Sequence, residues 1–158
     1  MERKVWEIFT DGASRGNPGP AAIGVVIKEH GKTVKVIAKD IGVATNNVAE
    51  YTALVFALQE ALVSKVSEIS VKTDSELMYK QVIGEYRIKN EQLQLFFEQI
   101  QHLRSGFKVF KIQHVPREQN KEADQLAQKI VKKFKKEQAK VVASRPESRG
   151  EESPSSAG

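Results

Sequence analysis

The spacing of apolar residues divides the first 134 positions into strands and helices. Short apolar or alternating runs predict strands at residues 5–9, 22–28, 33–41, 69–73 and 107–115. Apolar residues at steps of three and four predict helices at residues 46–63, 75–83, 90–103 and 121–134. The predicted order is therefore three strands, a helix, a strand, two helices, a strand and a last helix.

This order predicts an α/β fold with one mixed, five-stranded sheet and helices on both faces. The first three strands are joined by short connections and should be antiparallel, whereas the last two follow helical crossovers and should run parallel to the first. Strands one and four can then be neighbours, and a crevice opens where the direction of the connections changes. Asp11 ends the first predicted strand and Asp74 ends the fourth. Both residues are therefore predicted at this crevice.

The end of the chain differs in composition from the rest. We interpret residues 1–134 as one domain, which is long enough to bury a core. Residues 135–158 are first basic and then rich in Ser, Gly, Pro and Glu, which predicts a disordered tail.

Composition narrows the chemistry that the chain can carry. It has no cysteine and three histidines that are far apart, so disulfides and thiolate metal sites are excluded, and we expect any metal to be bound by oxygen. The net charge of +5 suits a polyanionic partner without proving one. The sequence shows neither a signal peptide nor an apolar run of membrane-spanning length, so we expect a soluble, cytoplasmic protein and no membrane partner.

Four carboxylates, Asp11, Glu50, Asp74 and Asp124, are the candidate chemical groups. Singly, an Asp at a strand end is a turn former, one before a helix is an N-cap, and an acid in a first helical turn is favoured by the dipole. Glu50 is harder to explain, because it shares a helix face with small and apolar residues. If these four carboxylates meet in one crevice, they would repel each other by roughly several kcal/mol unless they are protonated or bound to cations. Two-metal phosphoryl transfer requires a carboxylate cluster of this kind.

Five segments around these acids resemble type 1 ribonuclease H. They are residues 10–13 (TDGA), 16–19 (GNPG), 45–50 (TNNVAE), 73–75 (TDS) and 120–127 (NKEADQLA). The segments occur in the order of the family and span about residues 4–134. The resemblance implies the ribonuclease H-like fold, with residues 1–134 as the catalytic domain. It also implies hydrolysis of the RNA strand of RNA–DNA hybrids, which leaves 5′-phosphate and 3′-hydroxyl ends.

The resemblance also assigns roles to the acidic residues. It implies two Mg²⁺ ions, with Mn²⁺ as a substitute, and no organic cofactor. Asp11 would bridge both ions, Asp124 would complete the ion on the side of the attacking water, and Glu50 and Asp74 would hold the ion on the leaving-group side. His114, in a predicted loop, matches a mobile histidine that assists proton transfer or product release, and an imidazole titrates near neutral pH. The alternative for His114 is a surface histidine without a role.

Amide and hydroxyl residues match the nucleic-acid contacts of the family. Asn17, Asn46 and Asn47 resemble its minor-groove contacts, since amides both donate and accept hydrogen bonds. Their alternative role is in turns and caps, with Asn46 or Asn47 as the N-cap of the first helix. Thr45 and Asn90 resemble a pocket that binds a phosphate of the DNA strand.

The chain departs from some family members at two places. Glu76 stands where some members have Gln, and it would either weaken nucleic-acid binding or turn to solvent. Residues 84–90 (GEYRIKN) replace the basic protrusion of other members, so the chain resembles the protrusion-less branch, and we expect no N-terminal hybrid-binding module. Affinity for a hybrid must then come from elsewhere.

Lysines crowd the last predicted helix and its end, at positions 129, 132, 133, 135 and 136. Two interpretations remain open: they favour the helix C-terminus through the dipole, or they contact phosphates. Two other functions also remain open for the whole chain. One is a nuclease of the same fold with another substrate, such as double-stranded RNA, and the other is a hybrid-binding protein without catalysis. We expect a monomer.

Overall fold

The computed structural model describes the backbone of residues 4–144 and the side chains of residues 4–133. The strands are β1 (Val5–Ser14), β2 (Gly19–Glu29), β3 (Lys32–Ala44), β4 (Glu68–Thr73) and β5 (Val109–His114). The helices are α1 (Asn46–Val63), α2 (Glu76–Val82), α3 (Glu91–Arg104) and α4 (Lys121–Ser144), with a 3₁₀ turn at Arg117–Asn120 before α4.

The five strands form one mixed sheet in the order β3-β2-β1-β4-β5. β1 pairs antiparallel with β2 and parallel with β4, so strands one and four are neighbours as the order of elements predicts. The ladder between β1 and β4 ends at the pair Thr10 and Thr73. Asp11 and Asp74 are therefore the residues that come directly after this ladder, and the predicted fold class is confirmed.

β1 extends further than its apolar run indicates. The prediction that Asp11 ends the first strand was wrong, because β1 continues to Ser14 as the antiparallel partner of β2. Asp11 pairs with Gly24 of β2 and lies inside the strand. This pairing fixes its backbone more firmly than a turn would, since the partner strand sets its position.

Two glycines allow helices to pack closely on opposite faces of the sheet. A Cβ on Gly12 would lie 2.3 Å from the backbone of Ala49 in α1, and one on Gly24 would lie 2.1 Å from the carbonyl oxygen of Ala123 in α4. Gly24 pairs with Asp11, the residue before Gly12, so the two glycines face opposite sides of the sheet. α1 and α4 consequently cover opposite faces, and the main core lies between the sheet and α1.

α1 has the bounds that the apolar spacing predicts, but its N-cap is a different residue. Thr45 caps the helix, and its hydroxyl accepts a hydrogen bond of 3.2 Å from the backbone N–H of Val48. The prediction of Asn46 or Asn47 as the cap was wrong. The reason is that both asparagines already have helical backbone, whereas Thr45 is extended, as an N-cap must be.

α4 is longer than predicted. The predicted end at residue 134 falls inside this helix, which continues to Ser144. Although the apolar pattern fades there, Lys, Glu, Gln and Ala are good helix formers, and no Gly or Pro intervenes before Pro146. The predicted tail therefore begins as helix, and its remainder, residues 145–158, lies outside the described residues. Within residues 4–144, no helix has both the length and the apolar character needed to cross a membrane.

Candidate active site

Three carboxylates converge just beyond the end of the ladder between β1 and β4. One oxygen each from Asp11, Glu50 and Asp74 lies within 4.8 Å of the other two. Asp11 is 4% exposed and Glu50 is 5% exposed, whereas Asp74 is half-buried. Such burial is rare for acids without a cationic partner, so the cluster calls for a chemical explanation.

The sequence Asp11-Gly12 positions the first two of these acids. Because Gly12 has no side chain, α1 approaches β1 closely enough for Glu50 to accept a hydrogen bond of 3.1 Å from the Gly12 backbone N–H. Glu50 is thereby held next to Asp11 by the main chain of the strand that carries Asp11.

Asp74 is free of the capping role that its position before a helix indicates. Ser75 is the N-cap of α2, and its hydroxyl accepts a hydrogen bond of 3.1 Å from Met78 N–H. The N-cap interpretation of Asp74 was therefore wrong, and the Asp74 carboxylate is available to the cluster. Thr73 contributes as well, because its hydroxyl accepts a hydrogen bond of 3.0 Å from Ser75 N–H and so shapes the turn.

The fourth acid, Asp124, reaches Asp11 from the other face of the sheet. Its helix, α4, lies against Gly24, the residue that pairs with Asp11, and the Asp124 carboxyl is near enough to contribute to the raised pKa of Asp11. Arg117 Nη2 is 4.0 Å from Asp124 Oδ1, but the arginine side chain is 73% exposed. So solvated a cation does little to neutralise the buried acids. The structure thus groups three acids closely and places the fourth beside Asp11.

The crowding of carboxylates changes their protonation. Burial raises the pKa of Asp11 far above its usual range, and the neighbouring Glu50, Asp124 and Asp74 raise it further. Burial and the Asp74 carboxylate also raise the pKa of Glu50, although the hydrogen bond from Gly12 N–H opposes this rise. Both groups therefore favour a proton or a cation over the free carboxylate pair.

The donor set fits a hard divalent cation. All four groups offer carboxylate oxygens, which Mg²⁺ and Mn²⁺ prefer. Two oxygens bound to one Mg²⁺ are at most about 4.2 Å apart, since each lies about 2.1 Å from the ion. The spacing within 4.8 Å needs only small side-chain shifts to meet this limit.

His114 lies at the same edge of the sheet as the acids. It is the last residue of β5, within the strand predicted for residues 107–115 and not in the loop also assigned to it, and it pairs with Thr73, the residue before Asp74. Strand pairing continues to this point because β4 and β5 end together. The imidazole is exposed and stacks on the ring of Tyr79 with 6.1 Å between centroids.

The predicted minor-groove residues surround the N-terminus of α1. The side-chain oxygen of Asn17 accepts a hydrogen bond of 3.0 Å from the backbone N–H of Asn46, which joins the β1–β2 loop to this helix end. Asn17 and Asn46 are exposed, and Asn47 is half-buried. The bond uses the Asn17 oxygen and leaves its two amide N–H groups to donate elsewhere.

The remaining predicted contact residues lie at helix starts. Thr45 and Asn90 both serve as N-caps, and Asn90 Oδ1 accepts a hydrogen bond of 3.0 Å from Leu93 N–H. Glu76 is exposed in the first turn of α2, where the helix dipole favours an acid. This exposure is compatible with both outcomes considered for Glu76, so its effect on nucleic-acid binding stays a prediction.

Asn120 is a structural contributor to the site that sequence reasoning overlooked. It is 1% exposed, and its Nδ2 donates a hydrogen bond of 2.9 Å to the carbonyl of Thr10, the residue before Asp11. In the described part of the chain, its Oδ1 has no hydrogen-bond partner, and neither does Thr10 Oγ1. Asn120 therefore fixes the start of α4 against the strand that carries Asp11. No local sequence signal could have found this role, because its partner Thr10 lies 110 positions away.

Comparisons with known proteins agree with this geometry. The family described as "Reverse transcriptase-like" matches residues 9–130. Ribonuclease HI of Halobacterium salinarum is 42% identical over 120 residues, which cover 75% of this chain and 60% of that protein. The bifunctional protein Rv2228c of Mycobacterium tuberculosis is 40% identical over 122 residues, which cover 76% of this chain and 34% of that protein. The chain thus spans between one third and three fifths of the length of these curated relatives.

A solved structure with bound nucleic acid is also similar. The crystal structure of LC11-RNase H1 in complex with an RNA/DNA hybrid superposes with a TM-score of 0.77 at 39% sequence identity. The superposition covers 82% of this chain and 98% of the other. The similarity therefore extends over most of this chain rather than over one motif.

Proposed function

This chain belongs to the type 1 ribonuclease H family, and we propose that it is an endonuclease that hydrolyses the RNA strand of RNA–DNA hybrids. The observation that carries the proposal is the convergence of Asp11, Glu50 and Asp74 within 4.8 Å, with Asp124 beside Asp11. A polyanion-binding protein without catalysis has no use for such a cluster, because the carboxylates would repel its ligand.

The arrangement of the acids supports two cation positions that share Asp11. Asp11, Glu50 and Asp74 would hold one divalent ion, and Asp11 and Asp124 would hold the other. When bound, two such ions activate a water molecule and stabilise the leaving oxygen of a phosphodiester. We propose Mg²⁺ as the ion, with Mn²⁺ as a substitute.

The hydrolysis itself is an in-line displacement at phosphorus. The water oxygen forms a bond to phosphorus while the bond from phosphorus to the 3′ oxygen breaks, which leaves a 5′-phosphate and a 3′-hydroxyl. Glu50, held by Gly12 N–H, would select RNA by accepting a hydrogen bond from the 2′-hydroxyl. The exposed His114 would exchange protons with the reacting groups or with the departing product.

Residues around the N-termini of α1 and α3 complete the proposed substrate surface. Asn17, Asn46 and Asn47 would donate to and accept from groups in the minor groove, and the hydrogen bond between Asn17 and Asn46 keeps the loop and helix together. Thr45 and Asn90 would bind a phosphate of the DNA strand. The cytoplasmic location and the monomeric state stay predictions.

A cleavage assay with three labelled duplexes tests the proposal. Hybrid, double-stranded RNA and double-stranded DNA are incubated with the protein, with Mg²⁺ and with a chelator. We expect cleavage of the RNA strand of the hybrid, with Mg²⁺ and not with the chelator. Asp40→Asn is a matched control for Asp11→Asn, because Asp40 is exposed and an Asn there can still accept its hydrogen bond from Gly42 N–H. Cleavage of the DNA duplex, or no metal-dependent cleavage, would contradict the proposal, and cleavage restricted to double-stranded RNA would change its substrate.

A further inference from the structure

Three lysines of α4, Lys129, Lys132 and Lys133, form an exposed ridge whose charges no helix-end effect explains. We call them the α4 lysine ridge. The helix dipole acts on groups within the last turn, but α4 continues to Ser144, eleven residues beyond Lys133, and its last turn contains no basic residue. The ridge therefore lies in the middle of a helix, where the dipole does not favour cations. One of the two interpretations of these lysines is removed by the length of α4.

Ion pairing among residues 4–133 does not account for the ridge either. Some lysines elsewhere on the surface pair with acids: Lys28 pairs with Glu122 at 3.3 Å, and Lys35 pairs with Glu60 at 2.8 Å. In the described part of the chain, no ion pair involves a ridge lysine. Because Glu122 is occupied by Lys28, the acid at the start of the same helix does not reduce the charge of the ridge.

The direction of α4 brings the ridge toward the crevice edge. Asn120, directly before the helix, contacts Thr10 of β1, and Val131, further along the helix, packs in one cluster with Ala13 of β1. It therefore advances toward the C-terminal end of β1, the edge where the β1–β2 loop with Asn17 lies. The buried Val131 faces the sheet, so the ridge lysines, which are exposed, face outward.

The distances along α4 fit a nucleic acid that enters the acidic site. With a rise of about 1.5 Å per residue, Lys129 and Lys133 lie roughly 8 and 14 Å along the helix axis from Asp124. Phosphates of one strand follow each other about every 3.4 Å along a duplex axis, so these distances correspond to roughly two to four nucleotides. Lysine acts here as a point charge for phosphate, which tolerates either strand.

We propose that the α4 lysine ridge binds backbone phosphates of the hybrid two to four nucleotides from the cleaved bond, an inference that rests on the proposed function. The need for such a surface follows from the rest of the chain. The acidic cluster repels a polyanion, and the segment between α2 and α3 offers only Arg87 and Lys89 against Glu85. The ridge supplies affinity that this segment does not.

The salt dependence of hybrid binding tests the ridge. Lys129, Lys132 and Lys133 are replaced together by Gln in an Asp11→Asn background, so that Mg²⁺ can be present without cleavage. We expect the slope of log affinity against log salt to fall by about two to three, close to 0.9 for each lost phosphate contact. A fall of less than one would overturn the inference.

A matched control removes the same charge from the opposite end of the sheet. Lys32, Lys65 and Lys108 are exposed and precede or begin β3, β4 and β5, at the edge away from the acids. Replacing these three by Gln should leave the salt slope unchanged. An equal fall in both triple variants would show that the ridge acts only through the net charge of the protein, and would overturn the inference.

Protection from acetylation gives a readout without replacing any lysine. Hybrid bound to the Asp11→Asn protein should shield the three ridge lysines at least fivefold relative to Lys32, Lys65 and Lys108, as measured by mass spectrometry. Equal labelling of both groups would contradict the proposed contact. The two proposals fail differently: a wild-type protein that neither binds nor cleaves the hybrid overturns both, whereas intact cleavage with an unaltered slope overturns only the ridge.

Discussion

The start of α4 carries an acid that packing holds in position, whereas its middle turns carry exposed lysines. Asp124 reaches Asp11 because the backbone of α4 contacts Gly24 and because Asn120 is hydrogen-bonded to Thr10. The α4 lysine ridge is exposed and is held by no side-chain partner among the described residues. Chemistry here depends on packing that positions a few acids, whereas affinity depends on charge that needs no such precision. Changes at the two places should therefore have separable effects.

The largest separation is expected from Asp11→Asn. This change removes the carboxylate that both proposed ion positions share, and we expect cleavage to fall by about a thousandfold or more. Hybrid binding should be kept, because the ridge and the amide residues are untouched. Single-turnover cleavage and binding titrations measure the two effects, with Asp40→Asn as the control. A loss of binding equal to the loss of cleavage would show that the two regions are not separable.

The same variant also tests the electrostatic account of the site. Asn carries no charge, so Asp11→Asn removes a carboxyl group whose pKa is raised by burial and by the neighbouring acids. In the presence of a chelator, we expect its melting temperature to equal or exceed that of the wild type. A large decrease would instead identify Asp11 as a residue that stabilises the fold.

The backbone contact that positions Asp124 is tested by Gly24→Ala. The new Cβ would lie 2.1 Å from the carbonyl oxygen of Ala123, so α4 must shift, at a cost of about 1–3 kcal/mol in the free energy of unfolding. Cleavage should fall as well, since Asp124 moves with the helix. Gly84→Ala is the control: it meets no atom within 4 Å and loses about 1 kcal/mol through its positive φ of 87°. Equal activities of the two variants would mean that the helix position does not matter.

Asn120→Ala should have a smaller effect of the same kind. The change removes the hydrogen bond to the Thr10 carbonyl, and we expect a loss of about 1–3 kcal/mol in unfolding free energy. Because the bond lies next to Asp11, weaker Mn²⁺ binding should accompany the loss, as measured by titration calorimetry. Ser105→Ala removes an exposed hydrogen bond to His102 at the end of α3 and should leave Mn²⁺ binding unchanged. Unaltered Mn²⁺ affinity in Asn120→Ala would limit this residue to a structural role.

Asn120 also shows where sequence reasoning stops. The order of strands, the bounds of α1 and the neighbouring positions of Asp11 and Asp74 follow from apolar spacing and the crossover rule, because both depend on local pattern and chain connectivity. The hydrogen bond of Asn120 joins residues 110 positions apart, and no local pattern encodes it. The full extent of β1 was missed for a related reason, since β2 and not the β1 sequence sets its end.

Helix ends were the other error, and these depend on the competition between adjacent residues. Thr45 and Asn46 are both good N-caps, as are Asp74 and Ser75, and the backbone conformation decides between the members of each pair. At α4, apolar spacing predicts where the helix contacts the sheet, but good helix formers carry it beyond that contact to Ser144. The dipole interpretation of the lysines depended on that predicted end.

The smallest expected effect is a pH-dependent gain in stability from Mg²⁺, which distinguishes the buried acids from the exposed lysines. The pKa values of Asp11 and Glu50 are raised in the folded protein, so the folded state holds protons that the unfolded state releases above about pH 4. Their contribution to metal-free stability is therefore most favourable below that pH and is lost as pH rises toward the folded pKa values. A bound cation takes the place of those protons. The difference in melting temperature between Mg²⁺ and chelator should thus grow by a few degrees from pH 6 to pH 8.5, since about 1 kcal/mol corresponds to a few degrees at this size. Asp11→Asn should abolish this pH-dependent growth, and the ridge variant should keep it. A melting-temperature difference that is constant with pH would show that the repulsion between the acids is already compensated without a metal ion.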